Sequence, residues 1–297
     1  MAPESPVQSA PLVSVIVPHF NDVERLNLCL AALQRQSLPR DRFEIIVADN
    51  GSPQGAHAIS EVIAGRAVLT EVFEKGAGAA RNGGVALARG QIFAFTDSDC
   101  LPDPEWLGEG VKALQNYDLV GGRMHVLVRD PAHPTPAEAF ELVFAFHNDA
   151  YVRGRGFSVS ANLFCRRELF ACVGPFATTG VSEDTEWCLR ARAMGYQIGY
   201  AERASVGHPA RRNDTELFGK WRRMNQENYL LTLRGKGGRL LWLARTLALP
   251  ASALVHSPRA LLSPRLPTLS ARLGALGVLW RLRVWRTWDS FRLLMQA

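Results

Sequence analysis

Cysteine is scarce and unpatterned in this chain. There are five (Cys29, Cys100, Cys165, Cys172 and Cys188), with no CxxC pair and no histidine at zinc-finger spacing. That argues against a disulfide framework and against a structural zinc site. Residues 1–11 lack both a positive stretch and an apolar run, so no secretory or twin-arginine signal is visible and a cytoplasmic location is expected. No uninterrupted apolar run reaches the roughly 20 residues that cross a bilayer. The nearest, residues 240–255, is broken by Arg245 and Pro250. Repeats at solenoid spacing are absent as well. Charged residues make up only 21% against 47% hydrophobic, too apolar a mix for a disordered chain. At 297 residues there is room for one large or two modest domains.

The charge is unevenly placed. From Arg211 onward there are sixteen Lys or Arg against four Asp or Glu, whereas residues 1–210 carry eighteen against twenty-four. An acidic body with a basic, apolar tail does not match a nucleic-acid binder, whose domain is positive. It matches a soluble domain with an end that faces a membrane. Residues 273–294 mix four Arg and three Trp with Leu and Val, as in a helix lying at the interface of an anionic membrane. The alternative is a helical subdomain packed on the body.

The first hundred residues alternate strand and helix patterns. Residues 13–17 (VSVIV), stopped by Pro18, read as a strand buried on both faces. A helix over 22–36 follows, with Leu26, Leu30 and Leu33 at helical spacing and Asp22 as its N-cap. Residues 43–48 (FEIIVA) form a second strand that ends in the turn-forming Asp49-Asn50-Gly51-Ser52. Residues 68–73 give a third strand, 76–89 a glycine-rich helix and 91–96 a fourth strand. This order means a doubly wound, mostly parallel α/β sheet. Beyond Pro102 the regularity breaks: helices over 107–116, 137–151, 167–173 and 185–194 and strands over 119–128 and 158–164 make a smaller mixed-sheet portion. Residues 1–11, with three prolines, read as a mobile leader, and 216–297 as a basic, amphipathic helical region.

Five places hold chemistry-bearing residues. Asp97-Ser98-Asp99 follows the fourth strand. In extended chain, residues two apart point the same way, so both carboxylates can face a hard cation such as Mg²⁺ or Mn²⁺ at the carboxyl end of the sheet. A plain turn is the competing reading. Asp49 can accept from a base or ribose in the same crevice, or serve only its own turn. Gly76-Ala77-Gly78-Ala79-Ala80-Arg81 misses the dinucleotide fingerprint, because Arg81 replaces its third glycine. The glycines instead permit close backbone approach, with Arg81 and Asn82 as donors to a base or phosphate. Glu183-Asp184 heads a helix, where acidic residues suit the dipole and a carboxylate can also act as a general base. His208 is either structural or a metal ligand beside Asp99.

In order, VSVIVPHFND, IIVADNGS, GAARNGGVALARG, FTDSDC, SANLFCRRELFACVGPF and SEDTEWCLRARAMGY resemble the family 2 glycosyltransferases of the GT-A fold, over residues 13–208. The resemblance implies inverting transfer of a sugar from a nucleotide-diphosphate donor. It implies that Pro18, Asp49, Arg81, Asp97 and Asn162 serve the nucleotide and donor sugar. Asp99, with His208, would hold Mn²⁺ or Mg²⁺, and Asp184 would be the catalytic base. Glu183 and Trp187 would touch or support the acceptor. A catalytic domain over 12–215 follows. The QxxRW motif of processive members is absent; Lys220-Trp221-Arg222-Arg223 is a loose echo, so transfer of a single sugar is expected. With the basic tail, the acceptor is expected to be a polyprenyl-linked oligosaccharide for cell-surface polysaccharide, and the enzyme peripheral on the inner face of the cytoplasmic membrane. The rivals are a non-catalytic nucleotide-sugar-binding scaffold and, less fitting, a sugar-phosphate nucleotidyltransferase.

Overall fold

The computed structural model describes residues 10–296. The leader expected over residues 1–11 therefore lies, for 1–9, outside the described residues. Eight strands form one sheet: β1 (Val13–His19), β2 (Phe43–Asp49), β3 (Val68–Glu71), β4 (Ile92–Phe95), β5 (Leu101–Pro102), β6 (Leu119–Leu127), β7 (Leu163–Arg166) and β8 (Ile198–Pro209). Their order is β3-β2-β1-β4-β7-β6-β8-β5. The half made of β3, β2, β1 and β4 is parallel. In the other half β7 runs antiparallel to β4 and β6, and β5 antiparallel to β8.

Helices α1 (Val23–Leu33), α2 (Gly55–Ile63) and α3 (Ala77–Leu87) connect the parallel strands. Helices α4 (Trp106–Ala113), α5 (Pro136–Phe144), α6 (Asn148–Ala150), α7 (Arg167–Val173) and α8 (Glu183–Ala193) follow. Three long helices, α9 (Asp214–Leu233), α10 (Gly238–Leu261) and α11 (Leu269–Gln296), end the chain. Asp22 caps α1 by accepting from the Arg25 amide, as expected from the sequence. Helix α2 was not foreseen.

The described chain divides into two compact units. The first holds residues up to Met124, Asn148–Thr178 and Glu183–Gly207. Its core is aromatic: Phe93, Phe95, Phe170, Phe176 and Trp187 pack with ring centroids 5.2–6.4 Å apart. Such pairs add about 0.5–1.5 kcal/mol each beyond their buried area.

The second unit holds His125–His147, Thr179–Ser182 and His208 onward. There α5 is enclosed by α9 and α11 through Phe140, Leu217, Val278, Leu279 and Leu282. Glu141 of α5 is fully buried and paired with Lys220 Nζ (2.7 Å) and Arg211 (3.5 Å). Burial pushes its carboxyl up, but the two cations hold it below the usual carboxylate range.

Several boundaries depart from the sequence expectation. Strand β1 runs two residues past its expected end, through Pro18. Ile16 C=O accepts from Thr96 N on the β4 side, so Pro18, two residues on, turns its missing N–H to that side. Pairing with β4 stops at Ile16 and Phe95, hence nothing is lost there. The helix expected over 137–151 breaks at Phe146, whose backbone is left-handed (φ +54°). The strand expected from Ser158 begins only at Leu163, after a short 3-10 turn over Ser160–Asn162.

Helix α10 passes through both Arg245 and Pro250. Among the described residues it is the one helix long and apolar enough, by length and composition, to cross a membrane. Helix α11 is packed on one side, with Ala271, Ala275, Val278, Leu279, Leu282 and Leu293 buried, while Leu273, Val284 and Trp288 stay exposed on the other. Its arginines are largely engaged within the protein: Arg281 meets Asp214, Arg292 meets Asp289, and Arg286 lies over Trp221 at 4.5 Å.

Candidate active site

The site is built in the first unit, where the carboxyl ends of parallel strands open. The in-register parallel pairing of β1 with β2 sets His19 beside Asp49. His19 Nδ1 lies 3.0 Å from Asp49 Oδ1. The same carboxylate accepts from Ser52 Oγ (2.5 Å), Ser52 N (3.0 Å) and Gly51 N (3.1 Å). Burial pushes the Asp49 carboxyl up, and the Ser52 and His19 hydrogen bonds outweigh it, leaving the group below its ordinary value. The turn that the local sequence suggested is therefore present. Asn50 closes the next loop through Val72 O, Glu74 O and Gly76 N. His19 and Ser52 were not singled out in the sequence; the signal was there in the registration of VSVIVPH with FEIIVAD.

A prediction follows from the Asp49 bonds. A depressed folded-state pKa gives stability that is fully present above the unfolded value of about 3.9 and lost as pH falls through the folded one. In urea titrations at pH 6 and pH 3, wild type is expected to lose more stability on acidification than Asp49→Asn. Equal losses would show that these bonds do not discriminate the ionised form.

Helix α3 begins where Gly76 and Gly78 let two backbones touch. A Cβ on Gly78 would sit 2.1 Å from Ala177 O, and one on Gly76, at φ +127°, 2.7 Å from Thr178 O. Asn82 locks this approach with reciprocal bonds to Phe176 O and Phe176 N, both 2.9 Å. The side-chain oxygen and one N–H of Asn82 are thus used within the protein.

The close approach carries Arg81 to the acidic head of α8. Arg81 is buried, with Nη2 2.6 Å from Asp97 Oδ1 and Nη1 2.6 Å from Glu183 Oε1. Burial depresses the guanidinium pKa, yet the charges of Asp97, Glu183 and Asp184 raise it further than burial lowers it. For Glu183, burial and the neighbouring Asp184 and Asp97 push the carboxyl up against the pull of Arg81. Asp184 lies next along α8, accepting from Thr185 N (2.6 Å) and Ser160 N (3.2 Å). One cation and three carboxylates are therefore gathered from α3, the segment after β4, and α8.

The aspartate pair is arranged differently from the extended-chain expectation. Strand β4 ends at Phe95, and Cys100 N donates to Asp97 O (3.0 Å), closing a turn. Alternation does not apply inside a turn, so Asp97 is committed to Arg81 while Asp99 belongs to the segment entering β5. Burial, with Asp97 and Asp99 adding to it, pushes the Cys100 thiol well up.

Asp99 offers a carboxylate oxygen and His208 an imidazole nitrogen. His208 is buried, its Nδ1 2.8 Å from Pro209 O and its ring 4.5 Å from that of Phe146. A ring nitrogen bonded to a carbonyl is the arrangement that directs Nε2 towards a metal. A carboxylate oxygen and an imidazole nitrogen are each donors that a divalent ion such as Mn²⁺ accepts.

Two expected residues are placed in the interior. Asn162 is fully buried and its amide is used: it accepts from Trp106 Nε1 (2.9 Å) and donates to Arg123 O (2.8 Å) and Ala204 O (2.9 Å). Trp187 donates to Gly174 O (2.8 Å) and stacks on Phe170. Pro18 sits half-buried at the end of β1, next to His19.

Comparison with known proteins decides the family. The Glycosyl transferase family 2 profile matches residues 14–177. The chain belongs to the family 2 glycosyltransferases. This glycosyltransferase is 35% identical over 208 residues to "Glycosyltransferase AglE" of Haloferax volcanii, covering 68% of each chain. Among solved structures it resembles the mannosyltransferase PcManGT of Pyrobaculum calidifontis, described in complex with GDP-Man and Mn²⁺. The TM-score is 0.57 at 22% identity, over 93% of this chain and 88% of that one. It also resembles residues 1–349 of TarS from S. aureus, with a TM-score of 0.52 at 16% identity, over 92% and 90% of the two chains. The fold is GT-A, with a mixed α/β sheet and a helical C-terminal part.

Proposed function

We propose that this glycosyltransferase moves a single sugar, with inversion, from a nucleotide-diphosphate sugar to a hydroxyl of a lipid-linked saccharide in cell-surface polysaccharide synthesis. The observation that carries the reading is Asp184. Its carboxylate heads α8, is fixed by the backbone amides of Ser160 and Thr185, and stands beside the Arg81-Asp97-Glu183 group.

In this mechanism Asp184 takes the proton of the acceptor hydroxyl as that oxygen attacks the anomeric carbon. The new carbon–oxygen bond forms as the bond to the diphosphate breaks, and its electron pair leaves with the nucleotide. One displacement inverts the anomeric centre, so an α-linked donor yields a β-linked product. Pro18, Asp49 and Asp97 line the donor side. Arg81 holds Asp97 and Glu183 in place, and Glu183 borders the acceptor. Asn162 and Trp187 act by fixing the backbone around them. Asp99 and His208 would hold Mg²⁺ or Mn²⁺, which when bound neutralises charge on the departing diphosphate. The antiparallel pairing of Leu101 with Gly207 supports that pair, since Asp99 lies two residues before the one and His208 one residue after the other. The Mn²⁺ and GDP-Man described for the Pyrobaculum structure favour the same donor class. The enzyme works at the inner face of the cytoplasmic membrane, where a polyprenyl-linked acceptor is held.

Thermal unfolding with UDP-, GDP- and dTDP-sugars, with and without Mn²⁺, tests the site, because a ligand stabilises the state it binds. One donor is expected to raise Tm only with Mn²⁺, and Asp99→Asn to remove that dependence. A CMP-sugar, with a single phosphate, serves as control. A folded protein that responds to no donor would overturn the reading in favour of a scaffold.

A further inference from the structure

Helix α10 is inverted relative to an ordinary surface helix, which hides its apolar stripe and shows polar residues to water. Leu240, Leu247 and Leu254 recur every seven residues along it and are 62–73% exposed, and Val255 and Leu262 beside them are 73% and 76% exposed. At about 100° per residue these positions form one stripe down the helix, which is about 36 Å long. Trp242, Thr246, Ala253 and Ala260 lie on the far side of the helix, and with Gly238 they are the buried residues of α10. The hydroxyls and the indole have partners within the protein: Thr246 Oγ1 donates to Trp242 O, Ser252 Oγ to Leu249 O and Ser257 Oγ to Ala253 O. Trp242 Nε1 donates to Ser290 O. Side chains bonded in this way need no water partner, which suits a low-dielectric surrounding.

The cations are arranged to match. On the same wheel Arg239 falls on one edge of the stripe and Arg245 and Arg259 on the other, about 100° or more from its centre. None of the three meets a carboxylate among the described residues. Between residues 228 and 288 the chain has ten Lys or Arg and no Asp or Glu. Arg239 donates to Leu294 O and Arg245 to Thr232 Oγ1, both neutral acceptors. A long apolar stripe edged by cations that meet no carboxylate, with no anion in the surrounding sequence, is complementary to an acyl layer topped by anionic headgroups. Arginines at the edges keep their charge at headgroup level while their stems lie along the apolar surface.

We propose that the outward stripe of α10 docks in the plane of an anionic lipid bilayer, with Arg239, Arg245 and Arg259 at the headgroups. This deepens the reading of a membrane-linked acceptor and rests on it. It adds α10 to α11, where the sequence had suggested the contact.

The test is flotation of the full chain with vesicles of phosphatidylcholine alone and of phosphatidylcholine with 30% (roughly, by mole) phosphatidylglycerol. Wild type is expected to float with the anionic vesicles and stay in solution with the neutral ones. Leu247→Glu with Leu254→Glu should weaken binding at least about tenfold, because charge is driven into the acyl layer. Changing Arg239, Arg245 and Arg259 to Gln should cost roughly fivefold for each at low salt. All five positions are exposed and the bonds lost are the surface ones of Arg239 and Arg245, so thermal unfolding should move little and the donor-induced shift should be unchanged. Wild type that ignores both vesicles overturns the proposal. So does a concentration-dependent dimer in light scattering that Leu254→Glu dissociates without any vesicle binding, for a second copy would then cover the stripe. Vesicle binding that persists while no sugar nucleotide shifts Tm would instead sink the transferase reading and leave the docking surface standing.

Discussion

Asp184→Asn is expected to lower the rate of nucleoside-diphosphate release in the presence of acceptor by about 10²- to 10⁴-fold, the range lost with a general base. The substitution is nearly isosteric. The side-chain oxygen that remains can still accept from Thr185 N or Ser160 N, so the head of α8 should keep its shape. What is removed is the capacity to take a proton. Thermal unfolding should move little, and the metal-dependent shift caused by the donor should persist, since the base acts on the acceptor. A variant that retained full turnover would sink the assignment of Asp184. A wild type that binds donor yet releases none with any acceptor would favour the scaffold. Glu183→Gln is the useful companion, because it also removes a carboxylate at the head of α8 but disturbs Arg81 rather than the base.

Arg81→Met is expected to destabilise the fold by about 3–5 kcal/mol, the cost of breaking a buried pair and leaving its charge uncompensated. The lower end applies, because the partners Asp97 and Glu183 are 31% and 20% exposed and water can reach them in part. The loss should depend on pH. Without the guanidinium, Glu183 loses the pull that opposes burial and the charges of Asp184 and Asp97, so its folded-state pKa rises further. A raised value is a penalty at neutral pH that shrinks as pH falls and the group takes up its proton. Urea unfolding at pH 8 and pH 5 should show a larger deficit at pH 8. Arg81→Lys keeps the charge but not the fork, and one ammonium cannot serve both carboxylates in this geometry. It should recover only part of the stability. A pH-independent loss would mean that Arg81 matters through packing and not through charge.

The parts of this protein legible from sequence are those with a local physical cause. The apolar runs VSVIV and FEIIVA became β1 and β2 because uninterrupted β-branched stretches can only be buried on both faces. Asp22 capped α1 as expected because the bond spans three residues. The spaced blocks identified the family, and with it the GT-A sheet, before any coordinates. The departures have local reasons as well. Pro18 did not end β1, because its neighbour had already stopped pairing on that side. Pro250 did not end α10, because the energy of a long helix lies mainly in its packing.

The site itself divides along the same line. That Asp49, Asp97, Asp99 and Asp184 are acidic residues at strand ends or a helix start can be read from residue order alone. That Arg81 faces both Asp97 and Glu183 cannot, since those partners are 16 and 102 residues away and meet only because Gly76 and Gly78 let two backbones touch. Likewise Asn162 and Trp187, polar-tipped residues that suit a ligand, were drawn inside by Trp106, Arg123, Ala204 and Gly174. The clearest case is the C-terminal region. Composition alone put Arg and Trp of α11 at a membrane, whereas packing buried one side of that helix, paired Arg281 and Arg292 with carboxylates, and left the leucines of α10 outside as well. Sequence by itself determined the family, the sheet and the residue types available for chemistry, because these follow from short-range pattern. Which groups pair, and which face is left uncovered, was decided by tertiary structure, because both depend on contacts between distant segments that no local pattern encodes.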